Sequence, residues 1–432
     1  MESVKTYQYD VVVTGGGPAG IGAAVAAART GAKTALLERS GLLGGMLTLG
    51  QVQPILGAVS SGTIYDEIVD LVSRGHEDCP PLTTYIGREV HVDAEECKGR
   101  LMQFVADSGA DIFLQTPVFD VLKEGDKVTG VIAGSGEGPV VFMAKTVVDT
   151  TGDGYTAVRA GCAFDMGRDD GGCQPTTIEF LIDNIDESCA ICCGGGSDPV
   201  QLPDGRRYSE VCKAACASGE LPENVSIVRL HRTFYPGERN VNATQANGFN
   251  TLTAEGVLGA ELLLRSQIDK ILVFLRKNVP GYEHCRARSS GSVVGVRETR
   301  RIRGLAQVKD IDVETGTRSP EVAVHKAWFL IDIHNPKGSG QAEKYSHPCQ
   351  PYDIPYGALV PAGVDGLLVG GRCISGTHRA HASYRVMGIC LATGQAAGTA
   401  AALCAKEGVQ PRELPVSRLQ EALKAQGVEL FD

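Results

Sequence analysis

Positive charge is in short supply: 41 Lys and Arg stand against 51 Asp and Glu, for a formal charge of -10 and a pI near 5.5. That balance disfavours nucleic acid or an anionic membrane surface as a partner. No apolar run reaches the roughly 18 residues a membrane span needs, and Met1 to Lys5 enter the first strand without a signal-peptide core. A cytoplasmic protein is the expectation. No disorder-prone composition is present either, since 43% of residues are hydrophobic and 21% charged, as in ordinary globular enzymes with a substantial core. Cysteine is not scarce, at 14 residues, but without an export signal the thiols read as reduced, mostly small core residues. Cys189, Cys192, Cys193, Cys212 and Cys216 are numerous enough to ligate zinc or an iron–sulfur cluster. Their spacing matches no familiar cluster motif, and no proline follows in the ferredoxin manner, so no bound metal is expected.

What is present begins at Tyr9. Val11, Val12, Val13 and Thr14 form a short apolar run suited to a buried parallel strand, and Gly15-Gly16-Gly17-Pro18-Ala19-Gly20 follows at once. An alanine-rich helix over Ala19 to Ala28 stops before Gly31, and a second strand, Thr34 to Leu37, ends at Glu38 and Arg39. In such a unit Gly15 permits the tight turn, Gly17 lets backbone approach a pyrophosphate, and Gly20 lets the helix lie against the strand. The diphosphate then meets the helix N-terminus at Pro18 and Ala19, and Glu38 receives the ribose hydroxyls. Gly134-Ser135-Gly136 has no helix behind it, so no second nucleotide site is read there.

Further along, Ile64, Ile68, Val69 and Leu71 mark an amphipathic helix halted by Cys79-Pro80-Pro81, and Asp93 to Ser108 reads as another. Asp111 to Leu114 is the third parallel strand, and Val118–Lys123, Val128–Ala133 and Val140–Ala144 form a meander. Lys145 to Thr150 is a further buried strand, closing on Thr151-Gly152-Asp153-Gly154. From Gly161 to Pro280 a mixed sheet is expected, with strands over Gln174–Ile182, Ser226–Leu230 and Arg239–Thr244. Thr253 caps a long helix whose apolar face is Leu258, Leu262, Ile268, Leu272 and Leu275. Ala327 to Ile333 reads as an apolar strand presenting Asp332 and His334 at its end, His334 being a candidate acid–base group. Arg297 and Arg300 suit an anion clamp or charge compensation, with an ion-pair network around Glu298 as the alternative. His378, Arg379, His381 and Arg385 are the densest titratable set, just before a small-residue helix whose N-terminus at Val386 and Met387 offers positive partial charge.

Taken in order, GGGPAG, LLERSGLLGGM, VVDTTGDG, VRETRRIRG, IDIHNP, YDIPYGALVP and LLVGGRCISGTHRAHASYRVMGICLATGQAAG resemble the FAD-dependent oxidoreductase family of the glutathione-reductase-like flavoproteins. The resemblance is weakest over Met166 to Gly248. It implies an α/β fold: a Rossmann-like FAD-binding domain with parallel central sheet and β-meander, in two parts (1–160 and 336–432), plus an inserted α+β substrate domain (161–335). It implies noncovalent FAD, with Gly44, Gly45 and Met46 passing the pyrophosphate, Val118 meeting adenine, Gly152 and Asp153 closing the first half, and Gly371 and Arg372 near the ribityl chain. Arg372 stands where aspartate usually completes that fingerprint. Leu47 and Val52 occupy the places of the redox cysteines of the disulfide reductases, which removes thiol–disulfide chemistry. The expected activity is a dehydrogenase or reductase moving a hydride between flavin N5 and a small organic molecule, with anionic substrates favoured by the arginines. His381 or His378 is the expected proton donor or acceptor, and Arg297 and Arg300 the anion clamps. Any NAD(P)H binds transiently, or a separate electron carrier serves; homo-oligomer formation is left open. Two alternatives stand beside this: an electron-transfer subunit using the cysteine cluster, and a tRNA-modifying flavoprotein.

Overall fold

The computed structural model describes residues 4–76, 82–84, 87–196, 198–337 and 349–432; the Cys79-Pro80-Pro81 stop lies outside them. The expected opening unit is β1 (Lys5–Thr14), α1 (Pro18–Arg29) and β2 (Thr34–Leu37). Pro18 starts α1 because the first helical N–H would have no partner in any case. α2 (Ile64–Ser73) and α3 (Ala94–Asp107) follow, the latter capped by the Asp93 carboxylate on the Glu95 and Glu96 N–H groups. The central sheet adds β3 (Asp111–Phe113), β4 (Val118–Glu124), β5 (Lys127–Ser135), β6 (Gly138–Asp149) and β7 (Leu367–Val369), in the order β3-β2-β1-β6-β5-β4 with β7 also on β6.

β6 corrects the sequence reading, which divides it into a meander strand and a separate buried strand. It is one strand of 12 residues. β1 pairs with it in parallel along its length, while its other edge meets β5 antiparallel over Gly138–Met143 and then β7 in parallel over Val147–Asp149. Its burial alternates in the first half and is continuous over Thr146–Asp149, because only the second half has covered faces on both sides.

A second core, from Ile178 to Val294, lies inside the 161–335 span. Its four-stranded sheet is wholly antiparallel, not mixed, in the order Arg229–Arg232, Arg239–Asn242, Phe180–Asp183, Arg286–Ser290. α4 (Ala254–Asn278) packs on it, with Thr253 capping as expected. Leu258 and Leu262, however, are 60% and 66% exposed. The buried stripe runs through Ala260, Leu264, Ile268 and Ile271, and a residue two positions away projects about 200° around the helix. The later strand is Val322–Ala327, earlier than expected, because its partner Tyr352–Pro355 begins opposite Ala327.

α5 (His378–Tyr384) leads into α6 (Met387–Glu407), which by length and composition alone could cross a membrane, contrary to the sequence expectation. It is buried throughout and is a core helix. α1 and α6 touch backbone to backbone: a Cβ on Gly394 would stand 2.0 Å from the Ala19 carbonyl oxygen, one on Gly398 2.1 Å from that of Ala23, and one on Gly22 2.3 Å from that of Leu391. Gly398→Val should therefore wedge the two helices apart and cost about 1–3 kcal/mol or more, read as a lower Tm in circular-dichroism melting; an unshifted melt would contradict the contact.

Candidate active site

The glycine turn sorts its residues by what surrounds them. Gly15 takes φ +99°, and a Cβ there would stand 2.8 Å from the Thr150 carbonyl oxygen. A Cβ on Gly20 would lie 1.8 Å from the Gly15 carbonyl oxygen, so both glycines are demanded by packing. Gly17 is different: its φ is -72°, and nothing lies within 4 Å of where its Cβ would be. The turn leaves open space at the residue heading α1, beside Pro18 and Ala19. Gly44 donates its N–H to the Gly16 carbonyl (2.8 Å), and a Cβ on Gly45 would come 3.1 Å from the Gly17 Cα. The second glycine pair, leading into Met46, thus lies directly against the first turn.

Glu38, buried at the end of β2, accepts the N–H groups of Gly16 (2.6 Å) and Ser40 (2.7 Å). Exposed Arg39 follows it. The Gln115 and Thr116 N–H groups donate to the Ser40 and Glu38 carbonyls, which sets the segment opening on Val118 alongside this end of the sheet. At the other side, a Cβ on Gly371 would meet the Ala19 Cβ at 2.7 Å and the Cys390 Sγ at 3.8 Å, so Gly371 sits between the first turns of α1 and α6. Val386 caps α6 and Met387 opens it, both buried. Arg372, beside Gly371, pairs with Asp153 (2.6 Å) and donates to the Thr299 hydroxyl (3.1 Å), while a Cβ on Gly152 would stand 3.0 Å from its Nη2. Burial opposes the Asp153 charge, but Arg372, the Thr299 hydroxyl and Arg39 outweigh it and hold the carboxyl below its usual range. The arginine in the aspartate's place is therefore neutralised from the Gly152-Asp153 turn.

The five candidate catalytic side chains divide into two shells. In one, buried Glu298 accepts Arg301 (2.5 Å), the His378 Nδ1 side (2.8 Å) and the Gln174 N–H (3.0 Å). His381 is 0% exposed, edge-on to Tyr384, with neither ring nitrogen partnered. Burial, then the charges of Arg301, Arg385 and Arg372, push its pKa well below 6.5, so it is neutral. Arg300 turns to the Asp153 carbonyl (3.5 Å) and the Phe164 ring (5.4 Å).

The other shell contains Arg297 and His334 and adds groups that sequence reasoning left out. Arg297 is buried and donates to the Pro175 carbonyl (2.9 Å). Burial, then Arg385 and Arg229, lower its pKa from 12.5 to about 9 against the pull of Asp332 and Glu179, the signature of a buried guanidinium short of counter-charge. Asp332 accepts Arg385 (2.9 Å) and lies 3.2 Å from His334 Nε2. Burial works against ionising Asp332, yet His334, Arg385 and Arg229 hold it well below the usual carboxylate range. His334 is pushed down to about 4 by burial and Arg297, and is neutral. Glu179 is raised from 4.5 to about 8 by burial, against the Gln53 N–H, Arg297 and Arg229. The signal for Glu179 was there to read: a lone acid between Ile178 and Phe180 in an otherwise apolar strand pattern.

A cavity of about 140 Å³ lies apart from the glycine turn, between the α3 N-terminus and the second sheet, lined in part by Gln51, Asp93, Phe234 and Arg288. It shares with the second shell only Gln53, whose N–H donates to Glu179 (3.3 Å). Among the described residues no three His, Cys, Asp or Glu side chains gather as a metal site. In the cysteine segment, Cys193 turns to the Gly195 carbonyl (3.3 Å) and Cys216 to that of Glu223 (3.1 Å).

The family model described as FAD dependent oxidoreductase matches residues 10–423. Among curated proteins, the tRNA uridine 5-carboxymethylaminomethyl modification enzyme of Aquifex aeolicus is 33% identical over 34% of this chain and 24% of its own length. The digeranylgeranylglycerophospholipid reductase of Picrophilus torridus is 28% identical over 33% of this chain and 39% of its own. The chain thus spans about a quarter to two-fifths of the length of the curated relatives it matches. Among solved structures, a geranylgeranyl bacteriochlorophyll reductase-like protein from Thermoplasma acidophilum aligns with TM-score 0.49 and 17% identity, over 97% of this chain and 83% of that one.

Two outcomes are expected from this geometry. Gly17→Ala should leave the stability of the flavin-free protein within about 1 kcal/mol, because its Cβ meets nothing, yet weaken retention of the cofactor, measured by flavin release on dilution. For Glu179 the folded pKa lies above the unfolded one, so its contribution is full below pH 4.5 and is lost as pH rises through 8. Glu179→Gln should flatten that part of the Tm-versus-pH curve; an identical decline in the variant would rule the carboxyl out.

Proposed function

The chain belongs to the FAD-dependent oxidoreductase family, and from that premise we propose that it is a dehydrogenase or reductase exchanging a hydride between flavin N5 and a small anionic organic substrate. FAD, when bound, supplies the two-electron redox chemistry, and the chain supplies position and charge. The open space at Gly17 fits a diphosphate, since nothing in the protein needs the missing Cβ. In this reading Gly15, Gly17, Pro18, Ala19 and Gly20 shape the diphosphate turn with Gly44, Gly45 and Met46 across it. Glu38 and Arg39 face the ribose end and Val118 the adenine. Gly152, Asp153, Gly371 and Arg372 line the ribityl side. Val386 and Met387 form the α6 N-terminus, whose dipole would stabilise negative charge on a flavin bound there.

The observation that carries the anionic substrate is Arg297, a buried guanidinium among Arg229, Arg385 and a single strongly ionised carboxylate, Asp332. An anion brought into this shell relieves the repulsion that burial intensifies. His378 Nε2 and both His381 ring nitrogens are buried and unpartnered as well, but His334 is the histidine that stands in the Arg297 shell, with Nε2 against the Asp332 carboxylate and Nδ1 free to hold or release a proton. The segment within 161–335 supplies the substrate-facing wall, and the redox partner is transient NAD(P)H or a separate carrier. The free thiols of the described cysteines are in keeping with a reducing cytoplasm. The tRNA-modifying alternative rests on the partial likeness to the Aquifex enzyme and is opposed by the charge of -10.

Purified protein should be yellow with flavin bands alone, and anaerobic exposure to a metabolite panel should bleach it fastest with carboxylate-bearing compounds. Protein that stays colourless after reconstitution with excess FAD would sink the reading.

A further inference from the structure

Around Asp332, three polar atoms of the Arg297 shell are buried and without a partner, Gln174 Nε2, His334 Nδ1 and Arg385 Nε; Gln53 Oε1, on the Glu179 side of the shell, is another. Their chemistry is fixed by the bonds the same groups do make. Gln174 Oε1 accepts the His334 backbone N–H (3.2 Å), so its amide NH₂ is the free end. Arg385 Nη2 donates to the Asp332 carboxylate and carbonyl, each at 2.9 Å, which leaves the Nε–H as an unspent donor. His334 faces ionised Asp332 through Nε2 (3.2 Å), so the ring proton sits on Nε2 and Nδ1 is a bare acceptor. Buried polar groups without partners cost about 1–3 kcal/mol each, and three of them in one shell mark a place that a ligand completes.

The complement of this shell is specific. Two free donors and an under-compensated guanidinium call for an anion with oxygen acceptors, and the His334 Nδ1 acceptor beside them calls for an X–H group on the same molecule. The charges of Arg229, Arg297 and Arg385 all act on Asp332 or His334, so an ammonium group would be repelled and the X–H is a hydroxyl. Resting on the flavoenzyme reading above, we propose that Gln174, Arg297, His334 and Arg385 form a subsite for a small hydroxy acid, its carboxylate received by Arg297 with the Gln174 and Arg385 donors and its hydroxyl donating to His334 Nδ1. The four residues come from separate stretches of chain that meet where the two cores adjoin. Glu179, protonated at neutral pH, closes the shell without adding negative charge that would repel the carboxylate.

The test uses the purified holoenzyme and three probes of matched size: lactate, propionate, which lacks the hydroxyl, and lactamide, which lacks the charge. Binding is read from the flavin absorption band and, independently of the flavin, from fluorescence of the single tryptophan, Trp328, four residues before Asp332. Lactate should bind more tightly than lactamide by about tenfold or more and more tightly than propionate by a smaller factor. Arg297→Gln should abolish the preference over lactamide, and His334→Phe the preference over propionate. The wild-type series alone decides if either variant misfolds: lactate binding no tighter than lactamide or than propionate overturns the subsite. Retained FAD without that discrimination removes the subsite and leaves the flavoenzyme reading; discrimination in Trp328 fluorescence by protein that holds no FAD supports the subsite and removes the flavoenzyme reading.

Discussion

The contact of α1 with α6 through Gly22, Gly394 and Gly398 is the constraint on which the rest of the structure depends. With no side chain between them, the two backbones approach more closely than any Cβ allows, and each helix is fixed against the other over several turns. Their first turns both reach Gly371. One helix begins at residue 18 and the other at residue 387, so the opening and closing parts of the chain are locked together at the place where the positive ends of both helix dipoles meet. The long apolar composition of α6 follows from this role: a helix enclosed on every side has no polar face.

Charge is distributed around that junction in two different ways. Glu298 spends its carboxylate on Arg301, His378 and a backbone N–H, and Asp153 spends its own on Arg372 and Thr299. These groups are satisfied and act as struts. The Arg297 shell is the opposite case, with guanidiniums gathered round one ionised carboxylate, a neutral histidine and a protonated glutamic acid. Burying such a set is expensive without a ligand, and the cost is tolerated where the fold brings two cores together and neither alone could supply all the partners.

The opening unit was legible residue by residue because each of its requirements is local. The φ of Gly15 and the collision at Gly20 arise within six residues of one another, and the apolar run of β1 is continuous. β6 reads as two strands for a matching reason: along one edge it changes partner, so its burial pattern changes midway although the backbone does not. The spacing of Leu258 and Leu262 points to the core, because spacing registers apolar periodicity without registering which stripe another element covers. His378 and His381 are two histidines one turn apart and equivalent in sequence, and the fold gives one an acid partner and buries the other edge-on to Tyr384 under the charges of three arginines.

The sequence by itself determined the nucleotide-type turn, the elements around it and the absence of disulfide-reductase cysteines, since these depend on sterics and composition over short stretches. Only the tertiary structure decided which charged groups share a dielectric: Glu179, Arg297, Asp332, His334 and Arg385 are spread over some two hundred residues of chain. Coulombic coupling acts through space and not along the backbone, so no spacing could have announced that those five would meet.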